Sequence, residues 1–300
     1  MVWLFIIILA YFFFSIASLG DKLVLSRAQS PRLYTFYVGV LSLIVLVLTP
    51  FADFRIPVPY NLFWIILTSF VLITGMYALY SAVNKFDVSR VVPVIGAVQP
   101  LFILILSWLF WGAQVIKANS LFAFAILLLG GIIISFEKKP RLTKELLKIS
   151  FLASFLTALS FILFKIVFQR EPFLRAIIWI GIFNFIFVLF FLFYKSFRRE
   201  IFEKKAAFSK KTLTLVVLTQ SAGGLASLLQ NFAIYLAPVS SLAIINALRG
   251  IQYVFLFMIT SALSLFLPKV LKEKISKKII RQKSVAILII ISGLIILVYS

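Results

Sequence analysis

The chain has 300 residues, of which 63% are hydrophobic, 13% are charged and 34 are Phe, against about 45–50% apolar and roughly 25% charged residues in a soluble domain. A domain of this size lacks the interior volume to hide such an excess, so most of its surface must face lipid. There is no Cys and no His, which excludes disulfides, thiolate nucleophiles, imidazole bases and sites built on those metal ligands; no cofactor or metal is expected.

A helix needs about 20 mostly apolar residues to cross a bilayer core. The first run, MVWLFIIILAYFFFSIASLG, has no basic leading segment and no small-residue cleavage site, so it reads as a span and not as a removable signal. Taken between charges and breakers, the apolar runs predict spans at Val2–Gly20, Leu33–Phe51, Leu62–Val83, Val88–Trp111 and Ser120–Phe136. A second series follows at Ile149–Phe168, Ala176–Tyr194, Thr212–Leu236, Val239–Leu267 and Ser284–Tyr299. Runs this long without period-two alternation exclude barrel strands, and the short connections leave no room for a soluble domain. The expected fold is an all-α integral membrane protein with ten transmembrane helices.

The two halves resemble each other. Lys22 and Lys165 fall at matching ends of the first and sixth spans, and VSRVVPVIGAVQP in the fourth aligns with VSSLAIINALRG in the ninth. That alignment sets Gln99 and Pro100 against Arg249 and Gly250, while Gly130-Gly131 in the fifth span answers Gly293 in the tenth. Residues 1–137 and 149–300 therefore read as two five-helix repeats joined by a basic linker, 138–148. An odd number of spans per repeat turns the second copy upside down. Such inverted repeats place a binding site near the midplane, at their interface.

The stretch PVIGAVQPLFILILSWLFWGAQV, followed by LLLGGIIIS, resembles the drug/metabolite transporter superfamily, and SWLFWGAQV is similar to the corresponding helix end of small multidrug resistance proteins. The ten-span, two-repeat layout is similar to the EamA branch over essentially the whole chain. The resemblance implies a transporter with a cavity lined by the first, third, fourth, sixth, eighth and ninth spans, and with no base, nucleophile or metal cluster in the spans an enzyme is not expected. The sequence departs from the pattern at Gly112-Ala113, where EamA repeats usually carry Gly-Glu, and the second copy reads FLPKV. Phe14 and Ser15 stand at about the depth where the small multidrug proteins carry a membrane-embedded Glu.

Charge placement indicates orientation. Connections after odd-numbered spans hold 24 of the 30 Lys and Arg residues, whereas connections after even-numbered spans hold four, Arg55, Lys117, Arg170 and Arg175. Lys165 and Arg249 lie within spans. In short loops this bias puts the basic linkers in the cytoplasm and both termini outside, although many ten-span members of the resembled superfamily have cytoplasmic termini. The net charge of +21 thus reports orientation in a cell membrane and contact with lipid headgroups, and no nucleic-acid partner is expected. The segment Lys195–Lys211 suits an interfacial amphipathic helix.

All nine acidic residues fall at helix ends or in loops: Asp21, Asp53, Asp87, Glu137, Glu145, Glu171, Glu200, Glu203 and Glu273. Arg249 is the cation that does not, about ten residues into the ninth span. A charge there costs at least about 2.5–3.5 kcal/mol. Two readings stand: it binds an anionic substrate group, or it bonds carbonyls of a helix broken at Gly250 or snorkels through a water-filled groove. Candidate substrate contacts are Arg249, Gln99, Asn246, Gln252, Tyr253, Tyr80, Lys22 and Lys165, with Gly96, Pro100 and Gly250 as flexible points. The function expected is secondary transport of a small organic metabolite by alternating access. A lipid-linked-sugar flippase and a non-transporting membrane scaffold are the alternatives.

Overall fold

The computed structural model describes residues 2–24, 31–86, 88–115, 118–135, 143–202, 210–266 and 277–299. The basic stretches at 138–142, 203–209 and 267–276 lie outside them. Twelve α-helices are described: α1 (Val2–Val24), α2 (Pro31–Leu41), α3 (Pro59–Lys85), α4 (Val88–Trp111), α5 (Ala118–Ser135) and α6 (Lys144–Phe168), then α7 (Phe173–Leu189), α8 (Lys195–Phe202), α9 (Lys210–Leu236), α10 (Leu242–Ala247), α11 (Gly250–Phe266) and α12 (Lys277–Tyr299). Among the described residues there is no strand, and eight spans are long and apolar enough to cross a membrane, with Ser120–Ser135 a shorter apolar helix. The described residues of the expected spans are predominantly helical, with a turn interrupting the ninth, so the protein is an all-α, multi-pass membrane protein.

Local chemistry sets the helix ends. Thr143 caps α6 by accepting from the Leu146 amide at 3.2 Å, and Glu145 follows in the positive first turn. Pro59 opens α3 where an amide hydrogen has no helical partner. Gly112 stops α4 by taking φ of +71°, a conformation that costs glycine nothing. The second and seventh spans each end in 3₁₀ helix, at Ser42–Phe51 and Phe190–Phe193. Pro93 and Pro100 leave α4 unbroken from Val88 to Trp111.

The outer faces carry large apolar side chains: Phe5, Val47, Phe63, Leu288 and Phe193 are each more than half exposed. Surface of that kind is a liability in water and a match to hydrocarbon.

The chain divides into two compact units that do not follow its halves. The first comprises Met1–Arg27, Gly96–Arg141 and Phe208–Ser300; the second comprises Ala28–Ile95 and Leu142–Ala207. In the second unit α3 packs on α6, and α7 packs on the 3₁₀ stretch that ends the second span. Ala82, Val91, Ile95, Leu146 and Ala153 form a buried cluster there, bringing together α3, the start of α4 and α6. In the first unit α1 packs on α9 and α11, and α5 packs on α12.

Two of these pairings are reciprocal. A Cβ on Gly39 would overlap the Val188 side chain, and one on Gly181 would lie 2.5 Å from Val45. In the first unit, a Cβ on Gly130 would meet Ile290 at 2.6 Å, while one on Gly293 would meet Leu127 at 2.8 Å. Each glycine is the space into which the other helix's branched side chain fits.

Candidate binding site

The site is assembled where the ninth span breaks. α10 ends at Ala247 and α11 begins at Gly250, leaving Leu248 and Arg249 in a turn. Across the break the backbone tightens: the Arg249 amide donates to Asn246 O at 3.1 Å, Ile251 to Leu248 O at 2.9 Å and Gln252 to Arg249 O at 3.0 Å. These are bonds to the third residue back, not the fourth. The Ile245 carbonyl, which a regular helix would bond to the Arg249 amide, is thereby released.

An unmet carbonyl inside a membrane protein costs several kcal/mol, and the chain supplies a partner. The buried Tyr11 hydroxyl, on α1, donates to Ile245 O at 2.6 Å. α1 also holds the far side of the break, because Gln252 Nε2 donates to Ser18 Oγ at 3.0 Å and to Phe14 O at 3.4 Å. One helix thus ties down both pieces of the interrupted span. The helix is broken next to Gly250, as the second reading of Arg249 expects, but Tyr11 and not the guanidinium takes Ile245 O.

Arg249 Nη1 donates to Gln99 Oε1 on α4 at 3.2 Å. Tyr11 and Tyr253 lie beside the guanidinium, and Gln230 of α9 beside the Tyr11 hydroxyl. The described side chains of this unit include no carboxylate, so the cation is held by neutral groups. Half-buried Arg249 lines a narrow cleft with Asn246, Tyr253, Leu128 and the glycines at 96, 131 and 250. The cleft is closed down to room for about one water molecule.

The floor of the cleft is backbone. A Cβ on Gly250 would stand 3.1 Å from Gly131 Cα, so α5 and the ninth span touch main chain to main chain. Asn246 is 1% exposed, and its Nδ2 is buried without a hydrogen-bond partner.

The structure therefore gathers Asn246, Arg249 and Tyr253 with Gly96 and Gly250 around one cleft, and Gln99 joins them through its bond to Arg249. Pro100 is buried one position beyond Gln99 on α4. Gln252 belongs to the α1 tie and not to the lining. Tyr80 and Lys165 are in the second unit, where Tyr80 packs edge-on against Tyr34 at 4.5 Å and Lys165 is buried on α6. Lys22 is in the last turn of α1, and its side chain lies outside the described residues. The fifth span, absent from the cavity that the resemblance implies, contributes Leu128 and Gly131. Sequence reasoning also missed Tyr11; the available signal was a hydroxyl in an otherwise apolar run.

No curated protein sequence matches the chain. Solved structures share its fold; among them a crystal structure has a TM-score of 0.66, covering 97% of this chain and 93% of that one at 15% identity. Residues 1–136 match the EamA-like transporter family. That match covers just under half of the chain, and over those residues the chain is similar to this family of membrane transporters.

Proposed function

We propose that the protein is a secondary transporter of a small organic metabolite bearing a negative group, working by alternating access. The observation that carries this reading is Arg249, a guanidinium at a helix break inside a membrane span, held by an amide and lining a cleft. A charge kept in that setting against its insertion cost marks a functional site, and a guanidinium is suited to carboxylate or phosphate. The constricted cleft fits a conformation that must open to admit substrate.

The reading includes two inverted five-helix repeats, residues 1–137 and 149–300. The reciprocal contacts support it, since Gly39 with Val188 answers Gly181 with Val45, and Gly130 with Ile290 answers Gly293 with Leu127. Reciprocity of that kind is what a two-fold axis imposes on a self-complementary contact. The packing of α1 on α9 and of α6 on α3 is the same exchange, first and eighth spans against sixth and third. Gly96, Pro100 and Gly250 are the flexible points, with the division between the compact units falling between Ile95 and Gly96 of α4. By charge bias, both termini lie outside a cell membrane.

Uptake of a panel of radiolabelled organic anions into proteoliposomes tests the proposal. The wild-type chain should accumulate at least one of them. Arg249→Gln should lose about a hundredfold in uptake, because truncating one partner of a buried charged contact costs about 2–5 kcal/mol. Undiminished uptake by that variant removes Arg249 from the site.

A further inference from the structure

We propose that the cleft at the helix break is a subsite for a single carboxylate of a monoanionic substrate, and that Gln99 holds the guanidinium until that carboxylate displaces it. The inference rests on the transporter reading and narrows its substrate class.

Three features converge. First, Arg249 is the one cation among the described lining residues, which are otherwise Gly, Leu, Ala, Asn and Tyr. A single negative charge neutralises it, whereas a dianion leaves one charge unpaired in a medium of low dielectric, where burial is costly. Second, the guanidinium is occupied by a neutral acceptor, Gln99 Oε1, at 3.2 Å. An ionised carboxylate is the stronger acceptor and takes two parallel N–H bonds from the guanidinium fork, so exchange of amide oxygen for carboxylate is downhill. Third, Asn246 lines the same cleft at 1% exposure, with Nδ2 unpartnered. A buried donor left unmet is destabilising, and the second oxygen of a carboxylate on Arg249 would satisfy it.

The rest of the lining sets the remainder of the substrate. Leu128 and Tyr253 offer apolar and aromatic surface, while Gly131 and Gly250 pack main chain to main chain, so the cleft must widen before the rest of a substrate enters.

The test is thermal unfolding of the full-length protein in detergent with acetate, propionate, benzoate, succinate or inorganic phosphate, each at an ionic strength matched with chloride. A monocarboxylate should raise Tm by about 5 °C at a hundredfold excess over its Kd, while succinate and phosphate should not. Asn246→Leu should weaken that binding about tenfold. Should Asn246→Leu fail to fold, Asn246→Asp provides the same test and should abolish the binding. Arg249→Gln should lose it entirely.

Stabilisation by succinate or phosphate as strong as by a monocarboxylate overturns the subsite and leaves anion transport standing. Monocarboxylate binding unchanged in the Asn246 variants overturns the role of that side chain. A response that survives in Arg249→Gln, or no response to any of the five anions in the wild-type chain, overturns both this inference and the reading beneath it.

Discussion

Arg175 and Arg249 are the same side chain in two settings. Arg175, near the start of α7, donates to Asp53 Oδ2 at 2.6 Å and to Glu171 Oε2 at 3.0 Å. Asn61 on α3 adds a bond to Glu171 Oε1 at 2.7 Å. The cluster ties the connection between the second and third spans, the start of α3 and the turn between α6 and α7. Every charge there has an opposite, so nothing is left over for a ligand. Arg249 has an amide where Arg175 has carboxylates, and it stands at a helix break inside a span and not at a helix end. One arginine closes a structural joint; the other carries a charge that no described group of its unit neutralises. The function is sought at the second for that reason.

The largest expected contrast is in stability. Arg175→Met strands the nearly buried Glu171 and should destabilise the protein by about 3–5 kcal/mol, the cost of breaking a buried pair from one side. Arg249→Met removes a charge that is costly in a span and should leave stability equal or higher. Unfolding of both variants in detergent measures the difference, and a marked loss from Arg249→Met would make that arginine structural.

The break itself can be probed next. Tyr11→Phe deletes the hydroxyl on Ile245 O and should cost about 1–3 kcal/mol, the penalty for a buried acceptor left unmet. Gly130→Ala and Gly293→Ala, which overpack against Ile290 and Leu127, should each cost about 1–3 kcal/mol. If the repeats are related by a two-fold axis, the two losses should match within about 0.5 kcal/mol, and Ile290→Ala should recover most of the first while Leu127→Ala recovers the second. At the small end, Lys85→Ala removes an exposed ion pair with Glu145 and should shift stability by no more than about 1 kcal/mol.

The spans were legible in the sequence because a membrane helix must be apolar for its whole length, whatever it packs against. Gln99 and Arg249 were legible as a pair because the repeat alignment sets them opposite each other. What stayed hidden depends on pairings that no local pattern encodes. The break beside Gly250 was one of the sequence readings, but the main-chain contact of Gly250 with Gly131 was not, since it depends on a distant span. Tyr11 becomes meaningful only once Ile245 O has lost its helical partner. The lysines at 22 and 165 drew attention by matching positions in the repeats, yet the compact units divide the chain differently, and Lys165 falls outside the unit that holds the cleft.

Orientation is open to a direct check, because the chain has no Cys. A single Cys beside Lys204 should resist a membrane-impermeant thiol reagent in intact cells, and ready labelling would reverse the assignment.

The central claim is that Arg249 makes the cleft selective for negative charge. Leu128→Cys places a lone thiol on the cleft wall, where an anionic and a cationic methanethiosulfonate of similar size can be compared. The account predicts that the anionic reagent reacts faster by about tenfold, the effect of one nearby unscreened charge, and that Arg249→Gln removes the preference. Equal rates for the two reagents, or a preference that persists in Arg249→Gln, would contradict it.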